Sequence, residues 1–183
     1  MKTYIVLVRG INVGGKNAVS MARLRQCLEE AGFAEVSTYI ASGNVILKSD
    51  LLAADIKAQI EAALPRIFQL DSESIKALVL TGEQLRAVKN NRPPGFGEQP
   101  DKYHSDVIFL IDIDVAAAME VFSPREGVDA IWPGDGVIYS RRLTAERTKS
   151  RLGSIVGTPA YKSMTIRSWN TTIKLLEKIP DGQ

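Results

Sequence analysis

Residues 35–48, EVSTYIASGNVILK, are the part of the chain that decides its fold. Residues 35–41 alternate between apolar and polar side chains, and residues 44–48 continue that alternation, which predicts two half-buried strands. Between them, Gly43 and Asn44 tolerate a positive φ and favour a tight turn. The stretch therefore predicts a β-hairpin.

The segments on either side of the hairpin each predict a helix. Residues 3–9 form an apolar strand, and the helix that follows has Ser20 as its N-cap and Gly32 as its end. After the hairpin, Asp50 is predicted to cap a second helix, which Pro65 ends or bends.

A fourth strand completes this half of the chain. Residues 74–80 are apolar and β-branched, and Thr81 and Gln84 have the spacing of a capping box that opens a third helix. The order strand, helix, strand, strand, helix, strand is that of the ferredoxin-like fold, an α+β arrangement around an antiparallel sheet.

Residues 90–101, NNRPPGFGEQPD, predict a boundary between two ferredoxin-like subdomains, 1–96 and 97–183. The second half repeats part of the same order. Its predicted elements are strands at 106–111, 128–132 and 137–140, and helices at 115–122 with Asp114 as the cap, near 145–152, and from Trp169 to before Pro180. No candidate for a fourth strand stands out, so the second copy is predicted to be incomplete, with extra C-terminal helices.

The composition is that of a globular protein. The 183 residues are 45% hydrophobic and 24% charged, and no apolar run approaches the roughly 20 residues that span a bilayer. The first residues do not read as a signal peptide, and Cys27 is the single cysteine, which fits a reducing compartment. We expect a cytoplasmic protein with no membrane partner.

The net charge of +2 conceals a strong local imbalance. Residues 98–135 carry nine acidic and two basic side chains, whereas residues 140–174 carry eight basic side chains and one acidic one, a local balance of +7. Such a basic segment attracts anions. Alternatively, its cations pair with the acidic segment upstream.

Polar and glycine residues cluster where the first strand ends. Because the first and second strands of a ferredoxin-like sheet run parallel, the loop after the first strand and the hairpin lie at the same end. We expect an anion site there, formed by backbone N–H groups, amides and cations. The candidate residues are Arg9, Asn12, Gly14, Gly15, Lys16, Asn17, Ser42 and Asn44. The alternative is that the glycines form turns and the amides satisfy loop backbone.

The glycine-rich loop is not a P-loop of nucleotide triphosphatases. That motif requires Ser or Thr after its lysine, to bind magnesium, and here Asn17 follows Lys16.

The basic segment offers a second candidate anion site. Arg147 and Arg151 are four residues apart on a predicted helix, and Lys162 and Arg167 precede the last helix. Cations at the N-terminus of a helix can bind phosphate.

Candidate catalytic groups are scarce. His104 is the only histidine, so no histidine cluster can hold a metal ion, and we predict no cofactor. Cys27 is predicted to be a buried apolar residue of the first helix. Asp112, Asp114 and Asp135 could converge on a hard cation, although roles as helix cap and turn residue suit Asp114 and Asp135 better.

Three motifs together resemble a bacterial family known as domain of unknown function 1697. They are RGINVGGKN at 9–17, YIASGNV at 39–45 and RSWNT at 167–171. The resemblance covers nearly the whole chain and implies a small cytosolic protein of two ferredoxin-like subdomains, with no implied activity. Position 41 is usually Gln in that family and is Ala41 here, so a site at the hairpin should not depend on this side chain.

The sequence leaves three functions open. The first is binding of an anionic ligand, with nucleic acid favoured, at the two candidate sites. The second is an enzyme acting on a small phosphorylated or carboxylated metabolite in a cleft between the subdomains. The third is a homo-oligomeric protein-interaction module that uses an exposed sheet edge. Neither the ligand nor the oligomeric state follows from the sequence.

Overall fold

The computed structural model describes residues 1–70 and 75–180 and contains two four-stranded antiparallel sheets. The first sheet has the predicted ferredoxin-like order, β2-β3-β1-β4. Its elements are β1 (Lys2–Arg9), α1 (Met21–Glu30), β2 (Ala34–Tyr39), β3 (Asn44–Ser49), α2 (Ala53–Phe68) and β4 (Lys76–Thr81), after which α3 (Gly82–Asn90) begins. Residue 74, the predicted start of β4, lies outside the described residues.

The core of the first sheet is formed by one face of its strands and by the apolar sides of α1 and α2. Val6 and Val45 on the strands are fully buried with Leu24 of α1 and with Ile56 and Ile60 of α2. Burial of these side chains is the main stabilising contribution to this half of the chain. Cys27 is also buried, as predicted.

Two of the predicted helix caps are confirmed. The Ser20 hydroxyl accepts a hydrogen bond from the Arg23 N–H. Thr81 and Gln84 form a reciprocal capping box, in which each side chain accepts from the backbone N–H of the other. These bonds fix where α1 and α3 begin.

The predicted cap of α2 was wrong, and so was the prediction that Pro65 ends the helix; whether Pro65 bends it stays a prediction. Asp50 does not cap it, because its carboxylate pairs with the N-terminal ammonium at 2.9 Å, and Leu52 occupies the N-cap position without a side-chain bond. Pro65 lies inside the helix, which continues to Phe68. A proline this close to a helix end disrupts few hydrogen bonds, and the buried Leu64 beside it keeps this turn packed on the core.

The second sheet repeats the order of the first, as β6-β7-β5-β8. Its α and β elements are β5 (Tyr103–Leu110), α4 (Val115–Met119), β6 (Asp129–Pro133), β7 (Val137–Leu143), β8 (Met164–Ser168) and α5 (Trp169–Glu177). The prediction of a missing fourth strand was wrong, because β8 pairs with β5 along its length.

The connection between β7 and β8 is where the two copies differ. In place of a crossover α-helix it forms three short 3₁₀ helices, Thr144–Lys149, Leu152–Gly157 and Pro159–Ser163. The α-helix predicted at 145–152 is therefore wrong, and α4 is shorter than predicted although Asp114 does cap it. Leu152 and Ile155 from the 3₁₀ helices pack with one face of the sheet in place of the missing helix.

The chain divides into two compact units. One is Met1–Arg86 with Leu175–Gln183, and the other is Ala87–Lys174. The predicted boundary between residues 96 and 97 stays a prediction. None of the described helices is long and apolar enough to cross a membrane.

Asp129 ties the start of β6 to the 3₁₀ segment. Burial alone would raise the pKa of this carboxyl, but hydrogen bonds from Ser150 and from the N–H groups of Arg151 and Arg125, together with the charge of Arg142, hold the pKa below its ordinary value. The Oδ2 atom accepts from the Arg151 N–H at 2.8 Å and from the Arg125 N–H at 3.0 Å.

We expect Asp129→Asn to lower the free energy of unfolding at pH 7 but not at pH 2. The ionised carboxylate is favoured in the folded state, so its contribution is present above the pKa of the unfolded chain and is lost as the pH falls through the lower folded pKa. Urea unfolding of both proteins at the two pH values measures this difference. If the two proteins differ in free energy of unfolding by as much at pH 2 as at pH 7, the ionised Asp129 carboxylate does not have the stabilising role described.

Candidate functional site

The loop after β1 and the β2–β3 hairpin lie together, as the predicted topology requires. The Val8 N–H donates to the Gly43 carbonyl at 2.8 Å, and the Asn12 side-chain amide donates to the Ala41 carbonyl at 3.0 Å. These bonds connect the two loops at one end of the first sheet.

The glycine-rich loop is a miniature hairpin. The Lys16 N–H donates to the Val13 carbonyl at 3.0 Å, and Gly14 and Gly15 between them have φ of +58° and +74°. A positive φ at both central residues is the mark of a type I′ turn, which favours Gly-Gly. One of the loop N–H groups expected to face an anion is therefore used to close the turn.

The three asparagine amides satisfy loop backbone, which was the alternative that the sequence left open. Asn12 bonds both the N–H and the carbonyl of Val19, and the Asn17 amide donates to the Gly10 carbonyl. Asn44 is fully buried, and its amide donates to the Tyr39 carbonyl and the Ser42 hydroxyl.

The other predicted residues at this end of the sheet differ in exposure. Gly14, Gly15 and Lys16 are exposed, whereas Arg9 and Ser42 are half-buried. The topology brings the loops together, but Asn44 is positioned to stabilise the hairpin rather than to contact a ligand. Ligand binding by the exposed tip stays a prediction.

The candidate cations of the basic segment differ in exposure. Arg147, Arg151 and Lys162 are exposed on the 3₁₀ segment and take part in no ion pair within the described part of the chain. Arg167 is 7% exposed on β8 and donates to the Thr165 hydroxyl and the Ile166 carbonyl. Burial lowers the pKa of Arg167 to about 10, so it stays charged at neutral pH.

A cavity of about 450 Å³ lies where β8 leaves the second sheet and α5 begins. Residues from three segments line it: the loop before β5, the first residues of β5, and the first turns of α5. The lining residues are Gly97, Pro100, Tyr103, His104, Ser105, Ser168, Trp169, Asn170 and Ile173. β8 pairs with β5 only from Asp106 onward, so the first residues of β5 have no neighbouring strand on this side.

Ser105 gives the cavity an unsatisfied polar group. The residue is 9% exposed, and its hydroxyl oxygen is buried without a hydrogen-bond partner among the described residues. Buried hydroxyl groups are nearly always hydrogen-bonded, since a missing partner costs roughly 1–3 kcal/mol. Ser105 is therefore a lining residue whose hydrogen-bonding capacity is unused among the described residues.

His104 also lines the cavity and is oriented by Asp106. The His104 Nε2 and Asp106 Oδ1 atoms are 3.0 Å apart, and the histidine side chain is 44% exposed. Because side chains alternate along a strand, Ser105 projects from the opposite face of the sheet to His104 and Asp106. The three residues therefore do not form a Ser–His–Asp triad.

The N-terminus of α5 forms the wall opposite β5. The Ser168 hydroxyl accepts from the Thr171 N–H at 3.2 Å, so it caps the helix. Trp169 and Asn170 occupy the first turn, where N–H groups have no carbonyl partner within the helix and the helix dipole is positive.

Cations lie over the aromatic rings of this region. The Arg141 guanidinium is 4.1 Å from the centre of the Tyr103 ring, and Lys102 Nζ is 5.1 Å from the same centre. The Arg92 guanidinium lies 5.9 Å from the Trp169 ring. Three cations therefore lie against the rings of two residues that line the cavity.

Sequence reasoning missed most of this site. The sequence singles out neither Ser105, Tyr103 nor Gly97, and it considers His104 only as a metal ligand. The available signals were the RSWNT motif, which supplies three lining residues, and the glycines of PPGFG just before β5.

Asp112, Asp114 and Asp135 do not gather into a cation site. No group of three acidic, histidine or cysteine residues among the described residues is positioned to hold a metal ion. The Asp114 carboxylate accepts from the Ala117 N–H at 2.8 Å, as a helix cap does.

The model of a family described as a protein of unknown function, DUF1697, matches residues 1–139. The chain belongs to this family. The match includes the β5 side of the cavity and ends before β8 and α5. No curated protein matches the chain.

A solved structure is similar over nearly the whole length. It is the conserved bacterial protein SP0830 from Streptococcus pneumoniae, which is 29% identical with a TM-score of 0.77, over 96% of this chain and 97% of that one. The chain therefore shares its fold with a conserved bacterial protein. Neither comparison names a molecular function.

Proposed function

We propose that this protein binds a small anionic ligand in the cavity between β5 and the N-terminus of α5. The observation that carries the proposal is Ser105, a residue that lines the cavity and whose buried hydroxyl has no hydrogen-bond partner among the described residues. A serine hydroxyl can donate to an anionic oxygen.

The electrostatic surroundings favour a negative charge over a neutral group. Arg141 pairs with Ser105 in the β5–β7 register, so both side chains lie on the same face of the sheet. Arg167 pairs with Val107, two residues along β5, and adds a buried positive charge to that face. Together with the dipole of α5, these groups stabilise an anion more strongly in a partly buried site than in water.

The size of the cavity favours a small molecule. Sites for small ligands typically enclose about 300–1,000 Å³, and the cavity of about 450 Å³ falls within this range. A nucleic acid would instead require a continuous basic surface along its phosphates. For this site, a small ligand therefore replaces the nucleic acid that the sequence favoured.

Inorganic phosphate should raise the melting temperature of the protein, and Ser105→Ala should reduce that increase. A ligand that binds only the folded state stabilises it in proportion to the logarithm of its concentration over its Kd. Losing one hydrogen bond to a charged ligand should weaken binding by about 1.5–3 kcal/mol. Differential scanning fluorimetry over a phosphate series measures both effects.

Ser123→Ala is the matched control, because Ser123 is an exposed serine that does not line the cavity. It should respond to phosphate as the unchanged protein does. The proposal is contradicted if Ser105→Ala and Ser123→Ala show the same increase as the unchanged protein.

Nucleic acid binding on the 3₁₀ segment is a second candidate function. The observation in its favour is that Arg147, Arg151 and Lys162 are exposed and form no ion pairs with described residues. Cations of this kind are available to neutralise phosphates, and binding should then weaken steeply with salt.

Replacing these three residues with alanine should abolish most binding to a labelled RNA or DNA oligonucleotide at low salt. If all three contact phosphates, the slope of log K against log salt should fall by about three. The control replaces Lys2, Arg23 and Arg66, which are also exposed, and removes the same charge. Fluorescence anisotropy showing equal losses in both variants would indicate a general charge effect and not a site.

A further inference from the structure

We infer that the ligand of the cavity carries its anionic group on an apolar body, as in an arylalkyl carboxylate or phosphate ester, rather than on a sugar. This inference rests on the proposed function and specifies the class of ligand. It follows from how polar and apolar groups are distributed over the cavity wall.

The polar groups are concentrated on β5 and at the start of α5. Ser105 and His104 come from the first residues of β5, and Ser168 and Asn170 flank the start of α5. The anionic group of a ligand would therefore lie against these residues, with the N–H groups at the start of α5 as donors.

The rest of the wall is apolar. Trp169 and Ile173 are four residues apart on α5 and so lie on one face of the helix, and both line the cavity. Pro100 and Gly97 line it from the loop before β5. Tyr103 adds an aromatic ring.

An apolar ligand body matches this wall better than a sugar. Contact with Ile173, Pro100 and Trp169 would remove apolar surface from water on both sides, which is favourable. Sugar hydroxyls placed against the same side chains would lose water without gaining partners, which is costly. The cavity also has room for one aromatic ring with a short chain.

The aromatic rings of the wall are held in fixed positions. Phe96 is fully buried and packs edge-to-face on Trp169, with ring centres 5.2 Å apart. Gly97 lies directly against the indole nitrogen of Trp169. A preformed apolar wall binds an apolar group without a large ordering cost.

Five probes titrated by isothermal calorimetry test the inference: acetate, phenylacetate, phenylacetamide, inorganic phosphate and phenyl phosphate. Phenylacetate should bind at least tenfold more tightly than acetate, or phenyl phosphate at least tenfold more tightly than inorganic phosphate. Whichever pair shows the gain identifies the anionic group. Phenylacetamide, which has the ring without the charge, should bind at least tenfold more weakly than the tighter of the two phenyl anions.

The outcomes separate this inference from the proposed function. If the small anions bind but the phenyl group adds less than threefold in both pairs, the inference is overturned and anion binding stands. If phenylacetamide binds as tightly as the tighter of the two phenyl anions, both are overturned. If none of the four anions binds, the proposed function itself fails.

Two variants locate the apolar contact. Ile173→Ser should weaken binding of the tighter phenyl probe at least fivefold, whereas Ile166→Ser, at an exposed isoleucine on β8, should not change it. Pro100→Ser provides a second test on an exposed loop residue if Ile173→Ser does not fold. Unchanged affinity in a folded variant of either lining residue would contradict the inferred position of the phenyl group.

Discussion

Gly43→Ala should lower the free energy of unfolding by about 2–4 kcal/mol, of which the positive φ contributes roughly 1–2 kcal/mol and the steric clash the rest. Gly43 has φ of +74°, and a β-carbon added to it would lie 2.6 Å from the Val8 carbonyl oxygen. That oxygen belongs to the backbone of β1, so it cannot move without disturbing the central pairing of the first sheet.

Gly15→Ala is the matched control for this prediction. Gly15 also has φ of +74°, but nothing lies within 4 Å of its added β-carbon. The free energy of unfolding of Gly15→Ala should therefore fall only by the cost of the left-handed backbone conformation, about 1–2 kcal/mol. Urea unfolding of the two variants isolates the steric part, and equal losses would mean that the hairpin does not approach β1 as closely as described.

Gly97→Ala should both destabilise the protein and abolish binding in the cavity. The added β-carbon would lie 2.1 Å from the indole nitrogen of Trp169, so the ring would have to leave its place on the cavity wall. We expect a loss of about 2–4 kcal/mol in the free energy of unfolding, because strain at positive φ adds to overpacking. Ligand affinity should fall at least tenfold.

Gly127→Ala controls for the backbone strain alone. Gly127 has φ of +75°, close to the +79° of Gly97, and its added β-carbon meets nothing within 4 Å. This variant should be destabilised less and should keep its affinity for the ligand. Intact binding in Gly97→Ala, with Trp169 fluorescence unchanged, would show that the ring is not part of the site.

The first sheet could be predicted from the sequence because its burial follows its hydrophobic pattern. β1 has an apolar centre and is buried from Thr3 to Val8, and Gly43 in the hairpin has the positive φ that favours glycine. Ile40 also has a positive φ, which its β-branched side chain does not predict. Local patterns of this kind are sufficient when neighbouring strands and helices agree with them.

β8 could not be predicted because its pattern is inverted. Thr165 and Arg167 are buried, whereas Ile166 between them is exposed. A prediction from the alternation of apolar and polar residues would therefore place Ile166 on the buried face, and Thr165 and Arg167 on the exposed face, which is the reverse of the structure. Pairing with β5 determines which side chains are buried, and that pairing joins residues far apart in the sequence.

The candidate site predicted from the sequence differs from the cavity in the structure because contacts between residues distant in the sequence determine both. The asparagines after β1 lie in a loop, and the sequence alone does not show whether their side-chain amides bond the loop backbone or a ligand. In the structure, the Asn12 side chain bonds the backbone of Val19. The cavity requires the first residues of β5 to lie beside the start of α5, more than 60 residues later in the chain. No local motif encodes that proximity.

The most direct test of anion binding in the cavity is a ¹H–¹⁵N NMR titration with inorganic phosphate. The account predicts that the amides of Ser105 and Asn170 and the indole N–H of Trp169 shift together and saturate with one Kd. Shifts confined to Lys16 or to Arg147 and Arg151 would contradict it. It would also be contradicted if no amide shifted up to about 10 mM either with phosphate or, in a parallel titration, with acetate, because a Kd above that concentration corresponds to less than about 3 kcal/mol.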